Sequence, residues 1–305
     1  MDLNIAWWNT SLSPPTTKKS VRLNKKGRDA FFTVVRHLLV EGEVNLLGLC
    51  EVDKADIGEL SGYLVQEGFS EWVVISLYSS LKNRVNDYCL LVDRSCLEYV
   101  DHAYVEHWDE ARTYYKAGVR VTLKGEGDER VYVYLSHWQS QRNMSAKAHR
   151  AQLATVLRNS INAVFDEQGD DAGIVLMGDY NDDPFEDSLT HHLKSTRDKF
   201  FALANPRVLY NPFWRTLGAI VPHRHDDEVT WNYPSGTCYY AQNKELTFWK
   251  SFDQILFSSS FFGRKGWHLV EGNTKVYSQL ELGAHFSNWH EVSDHLPVFA
   301  SLTRV

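Results

Sequence analysis

A layered α/β fold is predicted for this 305-residue chain on three observations. Short apolar runs of strand length recur along the sequence. Amphipathic segments of helical period lie between some of them. No stretch rich in Pro, Gly or Ser divides the chain, which predicts a single domain over residues 1–305. The runs at 3–8, 46–50, 72–75, 88–92, 118–123, 131–135, 173–177, 254–257 and 297–302 read as strands. Phe31, Val34, Val35, Leu38 and Leu39 fall on one helical face, as do Leu153, Leu157, Ile161 and Val164. A further helix over 54–66 is carried by Ile57, Leu60 and Leu64. Residues 197–250, rich in Pro, Asn and aromatic side chains, read as irregular.

Apolar residues make up 43% of the chain and charged residues 23%, enough apolar material for a large core. The net charge of −7 excludes a strongly basic coat for nucleic acid. It leaves open an enzyme that acts on phosphates, because clustered acids that hold cations add negative charge without repelling such a substrate. Cys50, Cys89, Cys96 and Cys238 fit no zinc spacing and are sparse for a disulfide scaffold, so reduced thiols and a cytoplasmic location are expected. No signal peptide or membrane-spanning run is read in the sequence.

The chemistry is concentrated where strands begin and end. The run at 3–8 leads into Asn9, that at 46–50 into Glu51, that at 131–135 into His137, and that at 173–177 into Asp179 and Asn181. Asp253 opens one late strand, and Asp294 and His295 precede the last. Each residue has an ordinary alternative, as a cap, a turn residue or a solvated acid. All six strand ends carrying one by accident is the less economical account. If the strands opened by acids run antiparallel to those that close on them, the polar groups share one rim. Glu51 and Asp294 are the carboxylates a hard cation such as Mg²⁺ requires. Asp179 and Asn181 place an acid and an amide on one turn. Asp253 and His295 are candidates for an aspartate that orients a histidine. No serine or cysteine occupies a nucleophile elbow, so water is the expected nucleophile.

The motifs Ile5-Ala6-Trp7-Trp8-Asn9, Leu49-Cys50-Glu51-Val52, Ser136-His137-Trp138-Gln139-Ser140, Gly178-Asp179-Tyr180-Asn181, Phe252-Asp253-Gln254-Ile255-Leu256 and Ser293-Asp294-His295-Leu296-Pro297-Val298 occur in that order. Together they resemble the endonuclease/exonuclease/phosphatase superfamily over nearly the whole chain. The stretches Leu209-Tyr210-Asn211-Pro212 and Gly236-Thr237 resemble its bacterial members that carry a His-Trp-x-Ser segment. The resemblance implies a four-layer α/β/β/α sandwich of two mixed sheets flanked by helices. It implies a cofactor, Mg²⁺ or Mn²⁺, held by Glu51 with Asn9 and Asp294. Asp179 would orient or deprotonate water, Asn181 would hold a phosphate oxygen, and His137 would contact the phosphate. His295, held by Asp253, would be a base or an electrostatic clamp. Asp87 and Arg112 are placed near the site without a role.

The expected function is a metal-dependent nuclease with nucleic acid as substrate. Lys25, Lys26 and Arg28, in the basic segment 18–28, are candidate backbone contacts, with a solvated basic loop as the alternative. A phosphatase or phospholipase acting on a small or lipid head group would use the same catalytic set. No membrane-binding helix is evident to favour the lipid. A catalytically silent module is disfavoured by the presence of the whole set.

Overall fold

The computed structural model describes residues 2–14, 25–81, 84–127, 129–140, 146–218, 225, 234–239, 246–263, 266–277 and 292–305, with the backbone alone at Lys25 and Lys26. In chain order the frame is β1 (Asp2–Asn9), α1 (Lys25–Val40), β2 (Leu46–Cys50), α2 (Lys54–Gln66), β3 (Trp72–Ser76), β4 (Cys89–Asp93), β5 (Glu98–Trp108), β6 (Tyr114–Lys124), β7 (Arg130–His137), α3 (Ala146–Gln168), β8 (Gly173–Asp179), β9 (Asp253–Phe257) and β10 (Val298–Arg304). One sheet runs β3–β4–β2–β1–β10 and is extended past β10 by Trp267–Leu269, with Lys275–Val276 also paired to β10. The other runs β5–β6–β7–β8–β9 and is extended by Leu209–Tyr210 and Ser195–Thr196.

The strands are apolar on both faces because both faces are covered. In β1, Leu3, Ile5 and Trp7 point between the sheets, where they join Val131, Val133 and Leu135 of β7, Val175 and Met177 of β8, and Ile255 and Phe257 of β9. Ala6 and Trp8 of the same strand point the other way, onto Phe31, Val34, Val35 and Leu38 of α1. On the far side, Leu153, Leu157, Ile161 and Phe165 of α3 cover Tyr132, Tyr134, Ile174 and Leu176. The result is the four-layer α/β/β/α sandwich, with one core between the sheets and one under each helix layer.

The helix expected over 54–66 is α2, started by a capping box in which the Asp53 side chain accepts from Ala55 N and Asp56 N while Asp56 returns to the Asp53 backbone. The long edge strand β5 is absent from the sequence reading. Its pattern Glu98-Tyr-Val-Asp-His-Ala-Tyr-Val-Glu-His-Trp108 is largely exposed, so it carries little of the apolar signal by which a buried strand is recognised. Within 197–250 the described residues form the short helix Lys199–Ala204, the 3-10 turn Pro212–Leu217 and the two-residue strands Leu209–Tyr210, Cys238–Tyr239 and Trp249–Lys250. No helix among the described residues is long and apolar enough to cross a membrane.

Gly48 sits on the inner face of β2, where a Cβ would stand 2.5 Å from Met177 Sδ and 2.9 Å from Trp7 Cε3. The missing side chain is the space in which the Trp7 indole lies. Gly48→Ala is expected to lower the unfolding free energy by about 1–3 kcal/mol through overpacking. The check is the urea midpoint at constant m-value. An unchanged midpoint would show that Trp7 and Met177 yield without cost.

Candidate active site

The strand directions place the polar ends on one rim. β1 and β2 are parallel with Asn9 opposite Cys50, so Glu51 emerges beside Asn9. β7 and β8 are parallel with His137 opposite Asp179, and β9 is antiparallel to β8 with Asp253 opposite Asp179. β10 is antiparallel to β1, so the segment that precedes it returns His295 to the end where Asn9 lies.

Asn9 links the sheets. Its side-chain amide donates to Asp179 Oδ2 at 3.0 Å and faces Glu51 Oε1 at 3.5 Å. Its carbonyl oxygens accept from Ser11 N and Ser293 Oγ. Glu51 adopts φ +57°, a left-handed conformation uncommon outside glycine, which turns its carboxylate out of the strand path toward the rim. Asn181 is likewise left-handed, at φ +52°. Asp179 Oδ1 accepts from Asn181 N at 3.0 Å, and the Asn181 side-chain amide donates to Trp138 O at 3.0 Å. The Asx turn and the carboxylate of the site are therefore one structure.

Two histidines flank this centre, each held by a buried aspartate. His137 Nδ1 is 2.7 Å from Asp87 Oδ2, and its Nε2 is 3.5 Å from Glu51 Oε1. Lys116 Nζ donates to Asp87 Oδ1 at 2.8 Å, and Glu51 N donates to Asp87 Oδ2 at 3.3 Å. Burial by itself would raise the Asp87 pKa, but Lys116 and His137 outweigh it and hold the carboxyl well below the usual range. Burial also opposes charge on His137, but Asp87 and then Glu51 and Asp179 lift its pKa to about 9. Burial raises Glu51, with His137 partly offsetting it.

His295 Nδ1 is 2.7 Å from Asp253 Oδ2. Its Nε2 lies 3.8 Å from Asp179 Oδ2 and 3.9 Å from Asp294 Oδ1. Asp253 is fully buried and also accepts from Trp7 Nε1 at 3.0 Å and Thr237 Oγ1 at 2.9 Å. Gly236 is what lets Thr237 approach, since a Cβ there would stand 2.5 Å from Lys250 O. Burial opposes charge on His295, and Asp253 foremost outweighs it, raising the pKa well above the ordinary value. Asp179, Asp253 and His295 present ligand-type atoms within 4.8 Å of one another. The Asp253 oxygens are already taken by Trp7, Thr237 and His295, so this group is a histidine with its orienting acid rather than a metal cage.

Asn9, Glu51, His137, Asp179, Asp253 and His295 thus form one connected chain of contacts. Asp294 lies at the mouth, with its side chain 55% exposed and accepting from Ser11 Oγ at 3.1 Å. Arg112 is exposed in the turn between β5 and β6. Arg28 meets Asp56 at 2.7 Å and also Glu59, an arrangement that fastens α1 to α2. The side chains of Lys25 and Lys26, and residues 15–24, lie outside the described residues. Asp87 and Lys116 hold a part of the site for which no role is expected from sequence. The only local signal is a lysine near the start of β6, two residues ahead of the buried Gly118.

A family model described as endonuclease/exonuclease/phosphatase family matches residues 12–304. The chain belongs to this family. Enzymes of the kinds this description names hydrolyse phosphoester bonds, and the chain is accordingly a phosphoesterase. Its fold is shared with the human Nocturnin catalytic domain solved with a bound sulfate anion, at 13% identity and TM-score 0.60, covering 100% of this chain and 95% of that one. It is shared with D. rerio TDP2 complexed with a single-strand DNA product, at 14% identity and TM-score 0.59, covering 99% of each chain. A Bacteroides thetaiotaomicron mannosyl-6-phosphatase is as similar, at 14% identity and TM-score 0.58, again covering 99% of each. No curated protein sequence matches the chain.

Replacing Asp87 with Asn removes the charge that favours the His137 imidazolium while keeping the shape. In chelator, the His137 pKa of about 9 should fall toward its ordinary value in an NMR titration of the ring. The linked stability follows the same sign. The folded pKa is raised, so the contribution is whole below pH about 6.5 and is lost as pH rises through about 9. This loss should shrink in Asp87→Asn. A ring that titrates at the same pH in both proteins would remove Asp87 as its cause.

Proposed function

We propose that the protein is a divalent-metal-dependent phosphodiesterase acting on nucleic acid, working as one domain over residues 1–305. The observation that carries the reading is the pairing of His137 and His295 with buried aspartates on either side of Asn9, Glu51 and Asp179. Two cationic imidazoles facing a carboxylate centre suit a substrate that brings an anion and a cation together. Glu51 is a hard oxygen donor, and burial raises it in a way a bound cation would relieve, so it fits Mg²⁺ or Mn²⁺; Asn9, whose amide nitrogen faces Glu51 in this structure, would turn its oxygen to join it. Glu51, Asn9 and Asp294 would hold the ion, which when bound polarises a phosphoryl oxygen as a Lewis acid. Asp179, aligned by Asn9 and by the Asn181 backbone, accepts the proton of the attacking water. Asn181 is assigned to a phosphate oxygen. His137 and His295 donate from Nε2 to the phosphate as charge accumulates on it. The raised pKa of His295, whose protonated ring Asp253 stabilises at Nδ1, favours the clamp over the base.

The rim supports a nucleotide-bearing substrate. Trp108 is 51% exposed, and the Arg84 guanidinium lies 5.4 Å from its ring centroid and 5.2 Å from that of Tyr114. Tyr114 lies two residues from Lys116, on the same face of β6, so this aromatic and cationic surface is continuous with the Lys116–Asp87–His137 contacts. An exposed indole beside a half-buried phenol and a guanidinium is suited to base stacking. Lys25 and Lys26 are proposed to add backbone contacts, Arg28 being engaged by Asp56 and Glu59. The similarity to a mannosyl-6-phosphatase favours a second reading, a phosphatase for a compact phosphomonoester.

The test is hydrolysis, with Mg²⁺ or Mn²⁺, of single- and double-stranded DNA, RNA, a small phosphodiester and a panel of phosphomonoesters. Cleavage of nucleic acid is expected, and turnover of phosphomonoesters alone would select the phosphatase. Glu51→Gln should nearly abolish activity and weaken metal binding in calorimetry. Asp179→Asn and His295→Ala should each cost on the order of 10²-fold in turnover. Their combined loss should be less than the product, since both act on one transition state. Near-parental rates in either single variant would strike it from the catalytic set.

Trp108→Ala separates the two substrates by a different route. It should weaken binding of a single-stranded oligonucleotide to Glu51→Gln by about tenfold, within the about 1–3 kcal/mol that stacking of one base contributes. Hydrolysis of a small phosphodiester should be unchanged. Equal oligonucleotide affinity with and without the indole would leave Trp108 as rim packing for Arg84.

A further inference from the structure

The proposed chemistry leaves unused a thiol that lies against His295. Residues 237–239 run antiparallel to 294–296, with Leu296 N donating to Thr237 O at 2.7 Å and Tyr239 N to Asp294 O at 3.0 Å. Cys238 and His295 face each other between these bonds. In such a non-hydrogen-bonded pair the backbones approach most closely and both side chains leave on one face. The Cys238 thiol accordingly reaches hydrogen-bond contact with the His295 ring. Asp294 completes the group, since Cys238, Asp294 and His295 each offer one ligand atom within 4.8 Å of the other two.

A sulfur, an imidazole nitrogen and a carboxylate oxygen are the donors Zn²⁺ takes, at roughly 2.0–2.3 Å, with water in the fourth tetrahedral position. Ligand atoms on such a tetrahedron stand somewhat under 4 Å apart, so only a small closure is needed from the distances present. The His295 ring is already oriented for a metal, because Asp253 holds Nδ1 and leaves Nε2 as the donor. Asp294, exposed at the mouth, gives the ion a way in. The donors differ in kind from Glu51 and Asn9, which offer oxygen alone, and a soft thiolate discriminates against Mg²⁺.

We propose that Cys238, His295 and Asp294 form an inhibitory zinc site, at which Zn²⁺ stops hydrolysis by capturing Nε2 of His295. The regulatory part rests on the reading of His295 as a catalytic group. Binding forms the Zn–S, Zn–N and Zn–O bonds and releases to solvent the thiol proton and the proton on Nε2. Burial, which pushes the Cys238 thiol up to about 12, keeps it protonated and unreactive until the metal displaces that proton. Asp294 is withdrawn from the Mg²⁺ donors at the same time.

The test uses the full chain in excess Mg²⁺ with free Zn²⁺ set by a chelator buffer. One Zn²⁺ per chain should bind, and Co²⁺ in its place should show a thiolate charge-transfer band. Cys238→Ser should abolish the band and weaken Zn²⁺ binding by more than the roughly 10–100-fold lost when only an outer partner is removed. Cys96→Ser should leave both unchanged. Zn²⁺ held equally by Cys238→Ser, or a parent without the band, would overturn the site. If Cys238→Ser does not fold, Cys238→Ala and the Co²⁺ spectrum of the parent decide in its place. Hydrolysis gives the second readout. Zn²⁺ should inhibit the parent and spare Cys238→Ser, which keeps its Mg²⁺-dependent rate. Zinc bound through the thiol with hydrolysis unaffected would overturn the inhibitory role. Absence of any Mg²⁺-dependent hydrolysis would sink the functional reading while leaving thiol-dependent zinc binding to be judged by itself.

Discussion

A carboxylate with no exposure to solvent, Asp253, is the group on which the arrangement depends. A buried charge is tolerated only when its oxygens are satisfied. Asp253 draws its partners from three places in the chain: the Trp7 indole of the first sheet, the Thr237 hydroxyl of the irregular segment, and the His295 ring ahead of the last strand. Each of these must reach the open end of the second sheet for the charge to be neutralised. The demand fixes how the two sheets meet at the rim, and Gly48 and Gly236 are the places where the chain gives way to meet it.

The same device occurs twice with the sheets exchanged. Asp87, just before β4 of the first sheet, holds His137 at the end of β7 in the second. Asp253, opening β9 of the second sheet, holds His295 just before β10 of the first. Both histidines therefore bridge the layers, and both keep Nδ1 engaged while Nε2 faces the acids between them. The pairs differ in their counter-charges. Asp87 has Lys116 as a second cation, whereas Asp253 has neutral donors beside His295. The first pair is thus locked more firmly in its ionised form.

The members of the centre end or adjoin the inner strands of the two sheets, whereas the rim is drawn from the edge hairpin and connecting segments. Trp108, Tyr114 and Arg84 belong to that rim, as do Asp294 and Cys238. The proposed selection of substrate and response to zinc thus fall to residues outside the connected centre, on a fold shared with solved structures of only 13–14% identity.

The sequence by itself determined the strands with two buried faces, the helix stripes and the run of polar strand ends. These are local patterns, in which apolar periodicity and an acid or amide at the end of an apolar run are visible without knowing what lies opposite. It also named Asn9, Glu51, His137, Asp179, Asp253 and His295, because each stands beside a strong strand signal. The exposed edge strand β5 stayed hidden because its pattern lacks a buried face. Tertiary structure alone decided that Asp87 and Lys116 hold His137, that both terminal nitrogens of Arg28 meet acids on α2, and that Cys238 lies against His295. These contacts join residues 28 to 57 positions apart, and a charged side chain's partner at such separations is set by sheet register and layer packing, which the local pattern does not encode.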